Sequence, residues 1–418
     1  MIANMKICGI VAEYNPFHNG HLYHIEKSKE ITNSDVIVVV MSGNFIQRGL
    51  PALFDKWTRT KIAIQNGADI VIELPVCYAT SSAEYFAHGS IGILDSLNVT
   101  NSICFGNECE DIEILKRIAN VLFHEPDEYK KHLQNELKKG NSYPIARSNA
   151  LKIFLKKEYN EQTLSSILLD SNNILGIEYL KALLAFDSPI TPYSLKRKGG
   201  NYNSTEIYEN ICSSTAIRQM FKSGNINPLS NVVPENCSNI LNQELLHGRS
   251  PMFIENFEKE ILYEIRRMST EDLTSILDVT EGLENLIKKA ENECIEIDNL
   301  IETIKSKRYT RTRIQRILIH LLLGIKKDIV ENNKTSPQYA RVLGMSKNGE
   351  KALPYLINNS RIPIITSVSK FLKGNISDSQ RKMLELDILA SNIYTLGYQI
   401  PNFKKTNLDY TMPIIKED

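Results

Sequence analysis

The sequence predicts an α/β protein in two parts: an N-terminal domain on a doubly wound parallel sheet, then a mainly α-helical C-terminal domain. Three observations predict it. Apolar runs of strand length alternate with helical patterns through the first half of the chain. The first such run leads into a His-Asn-Gly-His turn at the mouth of a helix. Past the breaker cluster Gly224-Asn225-Ile226-Asn227-Pro228, the strand–helix alternation does not return. The expected domains are therefore residues 1–225 and 226–418.

Taken in order, Ile7 to Val11 is apolar and β-prone. Pro16 stops it, because proline cannot donate within a central ladder. Leu22, Ile25 and the charges after them continue as a helix. Asp35 to Met41 is apolar after its first residue, the pattern of a strand buried on both faces. It ends in Ser42-Gly43-Asn44-Phe45-Ile46-Gln47-Arg48-Gly49, at the sheet edge where open α/β proteins bind ligands. Phe54 to Ala68 reads as a helix carrying Lys56, Arg59 and Lys61, and Ala68 to Pro75 as a third strand. A helix around Ser81 to Leu97 precedes a fourth strand, Ser102 to Phe105, which opens into Gly106-Asn107-Glu108.

Asp111 to Lys157 is helical and strongly charged. Leu168 to Leu184 is a further helix, with Ser171-Asn172-Asn173 as cap candidates near its start. Ile190 to Leu195 is a last strand, ending in Lys196-Arg197-Lys198-Gly199-Gly200. A polar loop, Tyr202 to Ile211, leads to Ser213-Ser214-Thr215-Ala216-Ile217-Arg218, which opens a short helix. Beyond it, Ile254 to Met268, Leu283 to Ile304 and Tyr309 to Ile329 are helical. Ala340 to Met345 and Ile364 to Val368 are candidate short strands.

Lys and Arg balance Asp and Glu, so global charge points to no polyanion and local clusters must carry that case. The seven cysteines are scattered and form no Cys-x-x-Cys pair, which argues against zinc and disulfide frameworks and fits a reducing cytoplasm. No apolar run reaches membrane-spanning length and no signal peptide is evident. Met1 to Asn4 read as an extension, with Met5 a second candidate start.

The chemistry concentrates at helix starts. A helix N-terminus carries unpaired N–H groups and partial positive charge, and so attracts phosphate. His18 and His21 are three apart and share a helix face. Gly20 lets the backbone approach a ligand. Two other readings of these residues are a metal site including His24, which lacks a Cys or acidic partner at suitable spacing, and a pair of solvated histidines. Gly106 leaves room for a flat base or ribose. Ser213, Ser214 and Thr215 are hydroxyls at a second helix start: singly an N-cap, but with Arg218 a holder of phosphate and of developing negative charge. Together these residues suit nucleotidyl transfer, in which positioning and charge neutralisation do the catalysis. Neither GxxxxGK[ST] nor GxGxxG occurs.

His18-Asn19-Gly20-His21 and Ser213-Ser214-Thr215-Ala216-Ile217-Arg218 resemble the two signatures of the HIGH-type nucleotidyltransferase superfamily. The longer runs VAEYNPFHNGHLYH, MSGNFIQRGLPALFDKWTR, GADIVIELP, FGNE and SNNILGIEYLKAL are similar to the bacterial tRNA(Met) cytidine acetate ligase family. The likeness covers most of the first ~220 residues in order, and KRYTRTRIQRILIHLLLG extends it. It implies a Rossmann-like HIGH nucleotidyltransferase domain. It also implies an enzyme that makes acetyl-adenylate from acetate and ATP, then acetylates N4 of the wobble cytidine of elongator tRNA(Met).

By the same resemblance, ATP is held by Val11, Ala12, Glu13, Tyr14, Asn15, Pro16, Phe17, His18, Asn19, Gly20, His21, Leu22, Tyr23 and His24. Gly106, one of Asn172 and Asn173, and Arg197 join them. His18, His21 and Arg218 are the expected catalytic residues, and Mg2+ is expected through the ATP phosphates, with no metal held by the protein. Elongator tRNA(Met), acetate and ATP are the expected partners, in the cytoplasm, with no membrane and no obligate protein partner. Arg197 past its strand end, and Arg48, Lys56 and Arg59, read either as anion attractors or as solvated basic surface. Tyr309, Arg311, Arg313 and Arg316 either grip the tRNA backbone or begin a charged helix above a core face. The alternative functions are another HIGH-type enzyme adenylating or cytidylylating a small metabolite, and a nucleotide-binding regulator without chemistry.

Overall fold

The computed structural model describes residues 5–109, 111–197, 210–332 and 336–417. Met1 to Asn4, Lys198-Gly199-Gly200 and most of the loop expected from Tyr202 lie outside the described residues. Among the described residues there are ten strands: β1 (Ile7–Ala12), β2 (Val36–Ser42), β3 (Phe45–Ile46), β4 (Leu50–Pro51), β5 (Ile70–Leu74), β6 (Thr100–Asn107), β7 (Thr191–Lys196), β8 (Ala340–Met345), β9 (Ile364–Ile365) and β10 (Ile415–Lys416). β3 and β4 form a hairpin in the loop after β2. The others make one sheet in the order β10-β8-β5-β2-β1-β6-β7, with β9 alongside β8. Every pairing in it is parallel except β5 with β8.

The sheet is covered on both faces, as its apolar runs require. Val36, Val38 and Val40 of β2 pack into one core, and Ile37, Val39 and Met41 into another. All are fully buried. The first core includes residues from the helices Ala83–Ser96, Ile112–His124 and Ser171–Ala185. The second includes residues from Asn19–Thr32, Lys56–Gln65, Ser214–Ser223 and Glu235–Leu246. After β1 the chain runs outward through β2 to β5, then returns to place β6 on the other side of β1. The crevice at the carboxyl ends of β1 and β6 is thus the switch point where such sheets bind ligands.

The expected division at residue 225 does not follow the sheet. β8, β9 and β10 come from the last eighty residues and extend the same sheet beyond β5. β8 and β9 are parallel strands joined through the helix Lys347–Asn359, so a strand–helix–strand unit does return in the second half. What fixes β8 against β5 is a buried four-charge cluster. Lys56 Nζ lies 2.7 Å from both Glu73 Oε1 and Asp409 Oδ1. Arg341 Nη1 lies 2.9 Å from Glu73 Oε2 and 2.5 Å from Asp409 Oδ1. Lys56 is therefore a core counterion, not an anion attractor on a solvated face.

Arg59 needs the same correction. It is fully buried, and its guanidinium donates to the carbonyls of Phe54 (2.9 Å), Glu13 (2.7 Å), Ser42 (3.0 Å) and Gly43. It ties the ends of β1 and β2 together beneath the crevice.

Candidate active site

A cavity of about 510 Å³ opens at the switch point. Its floor is the end of β1 and the start of the first helix. Along one side run Phe86, Phe105, Leu175 and Tyr179, an apolar wall beside Gly106. Arg48, Arg197 and Arg218 bring positive charge to it, and Ser214 and Thr215 bring hydroxyls.

The His-Asn-Gly-His turn is arranged differently from a bare helix mouth. His18 is the N-cap, and the Gly20 amide donates to its Nδ1 at 3.1 Å. The His18 amide donates to Nδ1 of His21 at 3.2 Å. The amides of His21 and Leu22 donate to the His18 carbonyl at 2.8 and 3.2 Å. Those first-turn N–H groups are therefore occupied. Because each imidazole accepts at Nδ1, its neutral form carries the proton on Nε2. The rings stack with centroids 3.7 Å apart and planes 22° from parallel. Burial pushes the His18 imidazolium down to about 3, with Arg197 adding to the shift. Burial, the His18 ring and Arg197 hold His21 well below its usual value. The pair is thus two neutral N–H donors at the cavity floor. Gly20 serves this pair directly: a Cβ there would lie 2.9 Å from Cε1 and 3.0 Å from Nδ1 of His18.

His24 also lines the cavity, and burial lowers its ring to about 4. Among the described residues no group of three or more His, Cys, Asp or Glu side chains is placed to hold a metal ion. No two of the seven cysteines are joined in a disulfide.

The other expected positions separate into lining and support. Val11, Ala12, Glu13, Tyr14, Asn15 and Tyr23 line the cavity. Burial pushes the Glu13 carboxyl up, against the Gln47 amide that donates to it and the charges of Arg48, Arg59 and Arg218. Tyr14 sits at φ +47°, a left-handed conformation, with its ring 4.9 Å from His21. Pro16 and Phe17 are buried beneath the turn, and Leu22 packs into the second core. Asn19 leaves the cavity and donates to the carbonyls of Asn210 (2.9 Å) and Asn231 (3.2 Å). Of the two asparagines, Asn172 lines the cavity. Asn173 instead accepts the amides of Glu108 (3.0 Å) and Cys109 (3.1 Å), fixing the loop after β6.

Ser213 caps the helix Ser214–Ser223, accepting from the Ala216 amide at 3.0 Å. That leaves Ser214 and Thr215 on the cavity wall. Arg218 donates to Asn15 Oδ1 (3.2 Å) and the Pro51 carbonyl (3.5 Å), and lies 5.6 Å over the Phe253 ring. Burial brings its guanidinium down to about 10, still fully charged at neutral pH.

The second half of the chain contributes Phe253, Ile254, Glu255, Asp298, Arg311 and Gln315 to the cavity. Apart from Arg311, these carry no local motif and were not singled out from the sequence. Tyr309 is buried, its hydroxyl donating to the Glu281 carbonyl at 2.9 Å, so it is a core residue and not a surface grip. The three arginines after it are committed within the fold. Arg311 pairs with Asp298 and Glu302, both at 2.5 Å. Arg313 donates to Thr280 Oγ1 at 2.6 Å, and Arg316 pairs with Asp278 at 3.2 Å.

Comparison with known proteins adds a family and a whole-chain likeness. The family model described as HIGH Nucleotidyl Transferase matches residues 5–409. A tRNA(Met) cytidine acetate ligase of Acetivibrio thermocellus is 44% identical over 98% of this chain and 100% of its own length. The ligase of the same name from Caldanaerobacter subterraneus subsp. tengcongensis is 44% identical over 99% and 100%. The apo crystal structure of Thermotoga maritima TmcAL superposes with a TM-score of 0.95 at 36% identity, covering 99% of both chains. A second form of that protein, bound with alpha-thio ATP, gives 0.93.

Proposed function

Because this chain belongs to the HIGH nucleotidyl transferase family, and within it to the tRNA(Met) cytidine acetate ligases, we propose that it activates acetate with ATP and acetylates N4 of the wobble cytidine of elongator tRNA(Met). The observation that carries the reading is the pair of stacked, neutral His18 and His21 donors at the floor of a cavity that also presents Arg197 and Arg218.

In the first half-reaction a carboxylate oxygen of acetate bonds to the α-phosphorus of ATP. The bond from that phosphorus to the bridging oxygen breaks, and diphosphate leaves with its electron pair. Charge grows on the equatorial and leaving oxygens. The Nε2–H groups of His18 and His21 meet it as preorganised donors, and Arg218 and Arg197 as fixed positive charge. The hydroxyls of Ser214 and Thr215 stand on the same wall. Phe86, Phe105 and Tyr179 beside Gly106 offer a flat, apolar slot for the base. Mg2+ bound to the ATP phosphates would add charge neutralisation there.

In the second half-reaction the cytidine N4 amine bonds to the acetyl carbonyl carbon, AMP leaves, and the amine loses a proton. The wobble base has to leave its stack to reach the anhydride, as base-modifying enzymes require. Arg311 and Gln315 also line the cavity. No described helix is long and apolar enough to cross a membrane, and the proposed tRNA substrate places the enzyme in the cytoplasm.

The test is incubation with ATP and labelled acetate, with and without elongator tRNA(Met). The expected result is acetyl-adenylate without tRNA, and N4-acetylcytidine at the wobble position with it. Diphosphate release only with a different acceptor would overturn the acetate assignment. ATP binding without turnover would overturn the enzyme.

A further inference from the structure

We infer that the tRNA lies on the helical hairpin of Asp127–Lys138 and Tyr143–Leu155, a surface apart from the arginine-bearing helix start at residue 311. This rests on the ligase reading above. The chain as a whole is neutral, yet residues 127–157 carry eight Lys and Arg against three Asp and Glu. Two of the eight are taken, Lys139 by Glu136 and Arg147 by Glu178, which leaves Lys130, Lys131, Lys138, Lys152, Lys156 and Lys157. Glu136 is buried and turned inward, receiving Lys139 (2.5 Å), Asn141 (2.9 Å) and Asn149 (2.8 Å), which locks the turn between the two helices. Asp127 and Glu128 sit in the first helical turn, where the helix dipole favours them. Glu158, the next acid along the chain, is taken by Arg117 at 2.7 Å.

What remains outward combines lysines with the exposed Leu137 and Ile145. Lys131, Gln134 and Lys138 are exposed and share one face of the first helix. Lys130, Lys156 and Lys157 are exposed around them. At the tip, Tyr143 is 54% exposed next to Lys138 and Lys139 in the chain. An exposed aromatic among lysines is the composition with which proteins stack unpaired bases and neutralise phosphates. By contrast, Arg311, Arg313 and Arg316 already face their own acids and hydroxyls.

The hairpin is also tied to the active site. Arg147 Nη2 lies 2.6 Å from Glu178 Oε1, on the helix Ser171–Ala185. Asn172, Leu175 and Tyr179 of that helix line the cavity. The hairpin is thus anchored to the helix whose other residues wall the cavity. An RNA held on the hairpin would lie beside that helix.

The test uses the full chain and unmodified elongator tRNA(Met). Lys130→Ala, Lys131→Ala and Lys138→Ala combined should weaken tRNA binding about tenfold or more near physiological salt. The slope of log Kd against log salt should fall by about 2, since each phosphate contact contributes roughly 0.7 to 0.9. Tyr143→Ala should weaken binding with the slope unchanged. Acetate-dependent exchange of diphosphate into ATP, which needs no tRNA, should keep its wild-type rate, and the triple Arg variant should restore tRNA affinity. Lys404→Ala with Lys405→Ala, two exposed lysines elsewhere, should change nothing. Wild-type affinity and slope in the triple Ala variant would overturn the hairpin, as would an equal loss in the 404/405 control. Loss of acetate-dependent exchange by the wild-type protein would instead overturn the ligase reading itself.

Discussion

Gly20→Ala separates the two jobs of the His-Asn-Gly-His turn. The added methyl would lie 2.9 Å from Cε1 and 3.0 Å from Nδ1 of His18. The ring is the movable partner, so it swings off the helix end. The variant then loses the 3.1 Å cap from the Gly20 amide and the 3.7 Å stack on His21. The cap is worth about 1 kcal/mol and the stack about 0.5–1.5 kcal/mol. Alanine in place of a helical glycine returns up to about 1 kcal/mol. Net stability therefore changes by about 1 kcal/mol, while one preorganised donor leaves the reacting phosphate. Such a loss is worth about 2.7–4 kcal/mol of barrier, or 10²–10³ in rate. The assay pairs urea unfolding with acetate-dependent exchange of diphosphate into ATP. A folded variant with exchange within threefold of wild type would refute the view that Gly20 exists to seat His18.

Three further outcomes follow from the geometry. His18 is depressed to about 3 from 6.5, so the unfolded chain binds the extra proton between those values. Stability should fall as pH drops through that window, by about 2 kcal/mol from pH 7 to 5 on account of this ring alone; His18→Gln should flatten the profile by that amount, and an unchanged profile would contradict a buried neutral ring. Arg341→Met leaves Glu73 and Asp409 sharing only Lys56 in a buried site, and should cost about 3–5 kcal/mol in denaturant unfolding; a loss under 1 kcal/mol would show the cluster to be solvated. Residues 1–225 alone lack β8 and both distant counterions, so the fragment should show little cooperative unfolding and no ATP heat in calorimetry; a fragment that titrates ATP like the full chain would contradict the shared sheet.

Much of the first half was legible because its signals are local. β1, β2, β5 and β6 each fall on an apolar run, and the alternation of β2 between two cores follows from strand geometry alone. The turns that line the cavity were legible for the same reason: His18, His21, Ser214, Thr215 and Arg218 sit in or just after short helix-start motifs. What escaped was charge whose partner is far away. Lys56 and Arg59 look identical in sequence whether solvated or buried, and Arg341 follows Glu73 by 268 residues. β8 was readable as a strand, but its antiparallel seat on β5 depends on that pair. Asn172 and Asn173 are adjacent and chemically equal, and only the turn of the helix sends one to the cavity and the other to the Glu108 loop. The consumption of the first-turn amides by His18 was likewise invisible, since it depends on where an imidazole ring lies.

The four-charge cluster also sets an order in time. A chain leaves the ribosome N-terminus first, at about 5–20 residues per second. Lys56 and Glu73 therefore emerge roughly 15–70 seconds before Asp409 at that pace. Through that interval β5 is an uncovered sheet edge, and the acid and base beside it hold only each other. The turn at residues 18–21 is made long before β8 and β10, which extend the same sheet beyond β5. A product that stops before residue 340 consequently lacks the strand that pairs with β5 and both late counterions, and leaves the edge of β5 open. Chain order thus leaves β5 without its outer neighbour until the segment carrying Arg341 and Asp409 has been made.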